Sequence, residues 1–328
     1  MQGGWTFHGG RLSEARRAYP DAPEPWLDLS TGINPHAWPG AADAAIDWRA
    51  LPDAEELAEL ERVAAAYFGT APGRICALPG TEIGLRLLDG LGLPEPAWHV
   101  APGYRTHAEA FGGRGAIDRH ALADKLAGGG TVLLANPNNP DGHVFDLDTL
   151  LRLAREAKGW LVVDEAFADA APDNSVVPHL EARAKVLVLR SFGKFFGLAG
   201  VRLGFAIGPE PLIDALRGKL GSWPVSNAAI RIGTGAYGDA GWIAAMRRRL
   251  VAEAAALDAV LSRHGLDPVG ECPLFRLVAV RDGAALFDRL ARQGILTRPF
   301  DYAPTWLRLG LPGSEAALAR LDRALADG

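Results

Sequence analysis

Three short apolar runs in the middle of the chain constrain its fold most: Thr131-Val-Leu-Leu-Ala135, Trp160-Leu-Val-Val-Asp164 and Lys185-Val-Leu-Val-Leu-Arg190. Runs of this length, bounded by turn-forming residues, read as buried strands. Strand and helix patterns alternate from about Glu55 to Pro211, which requires a largely parallel sheet wrapped by helices. In such a sheet the strands end at one edge, and ligands bind outside their carboxyl ends. The residues just past each run therefore decide the chemistry of that edge. The first run leads into Asn136-Pro-Asn-Asn-Pro-Asp-Gly142, the second closes on Asp164-Glu-Ala-Phe167, and the third gives way to Ser191-Phe-Gly-Lys194. One edge thus receives an amide, a carboxylate and an amine.

The segment from Ser191 to Gly208, SFGKFFGLAGVRLGFAIG, narrows the chemistry. A lysine on a glycine-rich loop is ordinarily solvated, and so is an arginine that comes after it. Here Lys194 and Arg202 both come after a strand at the ligand-binding edge. Glycines 193, 197, 200 and 204 permit close backbone approach, as a loop folding around a phosphate needs. Arg202 supplies a bidentate partner for that phosphate. Pyridoxal phosphate has matching requirements: a lysine amine to hold it as a Schiff base, and a carboxylate that keeps its ring nitrogen protonated so that the ring draws electrons. Lys194 and Asp164 fit these two roles. Asn139 is placed to donate to the ring's phenolic oxygen, and Ser191 and Arg202 to bind the cofactor phosphate.

NPNNPDG, VVDEAF and SFGKFFGLAGVRLG succeed one another as they do in the fold-type I pyridoxal phosphate enzymes, the aspartate aminotransferase superfamily. The chain resembles that superfamily over almost its whole length, and within it the histidinol-phosphate aminotransferase branch. The resemblance implies an α/β fold with a mostly parallel three-layer αβα large domain and a smaller α+β domain. It makes Lys194 the Schiff-base lysine, Asp164 the ring-nitrogen partner and Asn139 the phenolic-oxygen donor, with Ser191 and Arg202 on phosphate-binding positions. Two further segments complete the expected cofactor site. Arg74-Ile-Cys-Ala-Leu78 reads as a strand, after which Pro79-Gly80-Thr81-Glu82 opens a helical pattern. A helix start has unpaired amides that bind phosphate, so Thr81 and Glu82 are expected to contribute mostly backbone amides beside Gly80. Ala97-Trp-His-Val-Ala101 ends in Pro102-Gly-Tyr104, and the family's aromatic at the Tyr104 position stacks on the pyridine ring.

The amino terminus distinguishes between branches. His8-Gly9-Gly10, with Trp26-Leu-Asp-Leu-Ser-Thr-Gly-Ile-Asn-Pro35 after it, resembles the opening of the cobalamin-pathway threonine-phosphate decarboxylases. Histidinol-phosphate aminotransferases generally lack that His-Gly-Gly, and usually carry a tyrosine where this chain has Phe167. A second departure is Leu51, where many relatives place a tyrosine that reaches the partner subunit's cofactor phosphate. For the substrate, Trp306-Leu-Arg308-Leu-Gly310 matches the family's carboxylate-binding arginine segment. Arg298 is a second candidate cation, and His8, Gly9, Gly32, Asn34 and Asn139 are expected to help close the pocket. The resemblance implies decarboxylation of O-phospho-L-threonine to (R)-1-amino-2-propanol phosphate. Two alternatives stand beside it, transamination of the histidinol-phosphate type and a pyridoxal-phosphate-binding regulator without turnover.

Composition excludes other classes. A net charge of −5 and a pI near 5.9 argue against a nucleic-acid or anionic-membrane surface. Cys76 and Cys272 form no C-x-x-C, and the histidines lack H-E-x-x-H spacing, so no structural metal is expected. Arg247-Arg-Arg249 reads as a solvated helix face. With no apolar run of membrane-spanning length and no signal-peptide pattern, a cytoplasmic protein is expected. The expected organisation is an arm and part of the small domain over 1–40, a large cofactor domain over 41–222, and a linker helix with small domain over 223–328. The expected partners are a small phosphorylated amino acid and, by resemblance, a second copy in a homodimer.

Overall fold

The computed structural model describes residues 4–6, 8–112 and 115–326, so residues 1–3 and 7 of the expected arm lie outside the described residues. The strands are β1 (Leu27–Asp28), β2 (Ile75–Leu78), β3 (Ala97–Val100), β4 (Ala116–Ile117), β5 (Thr131–Ala135), β6 (Trp160–Asp164), β7 (Val186–Ser191), β8 (Gly204–Ile207), β9 (Pro268–Val269), β10 (Phe275–Ala279), β11 (Ile295–Leu296), β12 (Arg298–Pro299) and β13 (Trp306–Gly310). They fall into two compact units. One comprises Ala37–Asn139 and Val144–Ala245, the other Met1–His36, Pro140–His143 and Met246–Gly328.

The larger unit holds a seven-stranded sheet in the order β2-β8-β7-β6-β5-β3-β4. β8 runs antiparallel to both neighbours, and the other pairings are parallel. The central strands are covered on both faces, which is why β5 and β6 read as unbroken apolar runs rather than as alternating ones. Their register brings the functional ends level. Ala135 lies opposite Asp164, and Asp164 opposite Leu189, so the amide, carboxylate and amine segments do leave the sheet at one edge. Flanking helices start where the sequence supplies caps. Asp53 accepts hydrogen bonds from the Glu55 and Glu56 amides at 2.8 and 3.1 Å, and the helix Ala54–Phe68 then ends at Gly69 with φ 72°.

The glycine-rich segment is more ordered than a loop. β7 continues to Ser191, a single helical turn spans Phe192–Phe195, and the chain returns as β8 with Gly204 opposite Ser191. Phe192, Phe195 and Phe196 are fully buried. Phe192 stacks on Phe196 at 4.6 Å, and Phe196 on Trp242 at 5.6 Å. Burying each such ring contributes roughly 1.5–3 kcal/mol, so the turn carrying Lys194 is anchored by its neighbours.

In the smaller unit, β12-β13-β10-β9 form an antiparallel sheet, and β1 pairs in parallel with β11. The expected arm thus supplies one short strand. Helices Gly283–Arg292 and Glu315–Ala326 belong to the same unit. Asp282 caps the first by accepting from the Ala284 and Ala285 amides at 3.0 Å.

Candidate active site

One pocket of the larger unit is lined by Gly80, Thr81, Glu82, Tyr104, Asn139, Asp164, Ser191, Lys194 and Arg202, together with Phe167. All nine cofactor-site residues expected from the sequence are therefore brought together. Lys194 projects from the one-turn helix, half-buried, with Nζ 5.8 Å from the centre of the Phe167 ring. Asp164, only 5% exposed, ends β6. One of its oxygens accepts from the Ala166 amide at 3.1 Å, and the other contacts His107 Nε2 at 2.9 Å. An ionised carboxylate can only accept, so His107 donates through Nε2. His107 is fully buried, and nothing in the linear sequence marks it.

The three asparagines of the Asn136–Gly142 turn separate by role. Asn136 Nδ2 donates to the Asn174 carbonyl at 3.1 Å, and Asn138 Nδ2 to the Pro102 carbonyl at 3.0 Å. These two hold the loop, and Asn139 faces the pocket.

At the other end the backbone makes room for cations and amides. Gly80 has φ 88°, and a Cβ there would stand 2.7 Å from Arg202 Nη2. A Cβ at Gly204 would stand 2.8 Å from the Thr81 amide nitrogen. Arg202 itself adopts φ 56°, a left-handed conformation costing a non-glycine residue about 1 kcal/mol. Such strain concentrates at binding sites. Glu82 departs from expectation, because its carboxylate is engaged as well as its backbone. It accepts from Tyr104 OH at 3.1 Å and from Thr106 Oγ1 at 3.0 Å, and it pairs with Arg86 at 3.0 Å. Burial pushes the Tyr104 phenol up to about 12.

Beneath the pocket lies a buried charge cluster that the sequence patterns did not announce. Arg190 Nη1 donates to Glu165 at 2.7 Å, Nη2 donates to Asp169, and Ser175 Oγ donates to Glu165 at 2.6 Å. Glu165 and Arg190 are the chain neighbours of Asp164 and Ser191, and successive strand residues point to opposite faces. Burial pushes Glu165 above the usual carboxylate range. For Arg190, burial acts downward, but Asp169 and Glu165 more than reverse it.

Of the expected substrate residues, Asn139 faces the pocket of the larger unit, and the others sit in the smaller unit, where several converge. Arg298 and Arg308 are cross-strand partners, 8% and 5% exposed. Arg308 Nη2 donates to the Ser30 carbonyl at 3.0 Å, and Arg298 Nη1 to the Trp5 carbonyl. The same Ser30 carbonyl abuts Gly9, where a Cβ would approach it to 2.3 Å. Burial, then the charge of Arg298, pushes Arg308 down to about 10. Asn34 is buried and accepts from the His36 amide at 2.9 Å, a turn-forming role. Gly32 is buried and His8 half-buried. Among the described residues, no helix is long and apolar enough to cross a membrane.

Comparison with known proteins agrees with this fold. The family described as aminotransferase class I and II matches residues 24–325. A threonine-phosphate decarboxylase of Sinorhizobium sp. is 44% identical, with 97% of each chain covered. One of Pseudomonas aeruginosa is 42% identical, covering 97% of this chain and 96% of that one. Among solved structures, a histidinol-phosphate aminotransferase from Sinorhizobium meliloti, in complex with pyridoxal 5'-phosphate, superposes with a TM-score of 0.83 at 20% identity, covering 96% of this chain and 94% of that one. The fold, the strand-end constellation and the full-length match make this chain a member of the class I and II aminotransferase family.

Proposed function

We propose that this protein is a pyridoxal-phosphate-dependent decarboxylase of O-phospho-L-threonine, forming (R)-1-amino-2-propanol phosphate for cobalamin biosynthesis, and that it works in the cytoplasm as a homodimer. The observation that carries the reading is the convergence of Lys194, Asp164, Asn139, Ser191 and Arg202 on one pocket, in a chain similar end to end to threonine-phosphate decarboxylases. The pocket fits the cofactor by its donors: an amine, a carboxylate backed by a buried histidine, and a guanidinium and an amide kept accessible by Gly80 and Gly204. Bound there, pyridoxal phosphate supplies an electron sink for the pair released when the substrate's carboxylate leaves.

The chain's own residues do the rest. Lys194 Nζ would hold the cofactor and would deliver the proton that takes the place of carbon dioxide on the α-carbon. Asp164 holds a proton at the ring nitrogen, and His107 keeps that carboxylate oriented. Arg202, Ser191 and the Thr81 amide would hold the cofactor phosphate, Asn139 would donate to the phenolic oxygen, and Tyr104 would pack against the ring. Arg308 and Arg298 bind the anionic groups of the substrate, as two buried guanidiniums facing each other favour. His8, Gly9, Gly32 and Asn34 belong to the same substrate assignment. Arg308 must tether the carboxylate without stabilising it in the ground state, since ground-state binding alone does not lower the barrier. The homodimer is supported by exposed Trp48, Leu51 and Trp223 on the larger unit, at 79%, 65% and 57%.

The test is direct. Purified, cofactor-loaded protein is given phosphothreonine while carbon dioxide is monitored, then 2-oxoglutarate with amino donors while glutamate is monitored. Carbon dioxide without glutamate is expected. Glutamate without carbon dioxide would assign a transaminase instead.

A further inference from the structure

Glu82 makes contacts that no backbone-amide role requires. It is the second residue of the helix Thr81–Leu87, and its two oxygens bridge to a separate segment. Oε2 accepts from Tyr104 OH at 3.1 Å, and both oxygens lie within 3.1 Å of Thr106 Oγ1. On the solvent side, Arg86 Nε donates to Oε1 at 3.0 Å, and Arg86 Nη2 reaches Glu109 at 2.6 Å. Tyr104 is also met edge-on by His107, with ring centres 5.7 Å apart and planes at 90°. The Tyr104 ring is thus fixed at its hydroxyl by Glu82 and along its edge by the histidine that holds Asp164.

We infer that Glu82 is a positioning residue, which sets the plane of the Tyr104 ring in advance of the cofactor by accepting its phenolic hydrogen bond. The inference rests on the reading of the pocket as a pyridoxal phosphate site. A ring already held where the cofactor will pack costs no ordering on binding. Without the carboxylate, a largely buried hydroxyl would lose an acceptor while its bond with Thr106 remained, and the less firmly held ring would gain freedom to turn. The bond to Thr106, two residues beyond Tyr104, adds a second attachment to the same segment.

Cofactor-free full-length protein is titrated with pyridoxal phosphate for the wild type, Glu82→Ala, Glu82→Gln, Tyr104→Phe and the Glu82→Ala/Tyr104→Phe double variant. Affinity and the induced circular dichroism of the cofactor band are both read. Glu82→Ala is expected to weaken binding roughly fivefold, the factor for one lost hydrogen bond, and to diminish the dichroic band. Glu82→Gln, which retains an acceptor oxygen, is expected to restore both. In the Tyr104→Phe background the alanine change should cost clearly less, leaving only the loss of the Thr106 attachment. The inference is overturned if Glu82→Ala weakens binding by the same factor with and without the Tyr104 hydroxyl, or if Glu82→Gln behaves like Glu82→Ala. Should the alanine variant not fold, Glu82→Met takes its place. Fluorine NMR of protein labelled with 3-fluorotyrosine separates this from the assignment of the cofactor. The Tyr104 signal, identified by its loss in Tyr104→Phe, must move in Glu82→Ala and stay in Glu82→Gln even if no pyridoxal phosphate binds, and an unmoved signal refutes the positioning role.

Discussion

Arg190→Met removes one guanidinium from beneath the pocket and leaves two carboxylates behind it. The side chains of Arg190, Glu165 and Asp169 are 3%, 0% and 1% exposed, so solvent cannot soften the loss. At the 2.7 Å separation from Glu165, an effective dielectric of about 20 gives an attraction on the order of 6 kcal/mol before desolvation. Desolvation offsets part of this, and breaking a buried pair from one side costs about 3–5 kcal/mol. Proton linkage makes the loss depend on pH. A buried carboxylate without its cation titrates above its unfolded value of about 4.3, so the folded variant binds a proton that the unfolded chain releases. Stability then falls as pH rises above about 4.3 and through the raised folded value, by at most about 1.4 kcal/mol per pH unit for one carboxylate. Burial already pushes Glu165 upward beside Arg190, so losing the cation adds to an existing effect. Guanidinium unfolding monitored by tryptophan fluorescence reads this out at pH 5 and pH 7, with the wild type alongside. The variant's midpoint is expected to lie well below the wild type's at pH 7 and to approach it at pH 5. Combining Arg190→Met with Glu165→Leu and Asp169→Leu should recover much of the loss. A gap of equal size at both pH values would refute the electrostatic account and leave only a packing defect.

Other perturbations test the site more locally. Gly80→Ala places a Cβ 2.7 Å from Arg202 Nη2 at a backbone φ of 88°; pyridoxal phosphate affinity measured by absorbance titration is expected to fall about tenfold, equivalent to about 1.4 kcal/mol. His107→Phe fills the same buried space without a donor to Asp164; turnover is expected to drop more than tenfold with its pH profile displaced, whereas a profile of unchanged shape would show that His107 only packs. Trp223→Asp puts a charge on the exposed apolar surface of the larger unit, and light scattering is expected to report a shift from dimer to monomer.

The parts of the fold legible in the sequence were those set by continuous burial. β5 and β6 lie within the sheet interior and have the same bounds as the apolar runs that announced them. β8 was harder, because Gly204-Phe-Ala-Ile207 is short and sits in a glycine-rich stretch that also serves a phosphate-type loop. Composition could not sort Asn136, Asn138 and Asn139, three amides in four positions; the resemblance picked out the one that faces the pocket. His107 carries no local signal, since its partner Asp164 is 57 residues away and only the sheet brings them together. The helix start at Thr81 predicted amides, and Glu82 added a carboxylate whose partners lie 22 and 24 residues onward. Likewise the Arg298–Arg308 pair is created by antiparallel register, which a linear reading does not contain.

The antiparallel return of β8 has a mechanical consequence. Because Ser191 and Gly204 face each other across the β7–β8 ladder, the hydroxyl, the amine of Lys194 and the guanidinium of Arg202 all ride on one hairpin whose turn is wedged in place by phenylalanines. Any rigid shift of this hairpin carries the amine, the hydroxyl and the guanidinium together and leaves the spacing of their backbone positions unchanged. Travel of the amine relative to the guanidinium is therefore confined to the torsions of their own side chains.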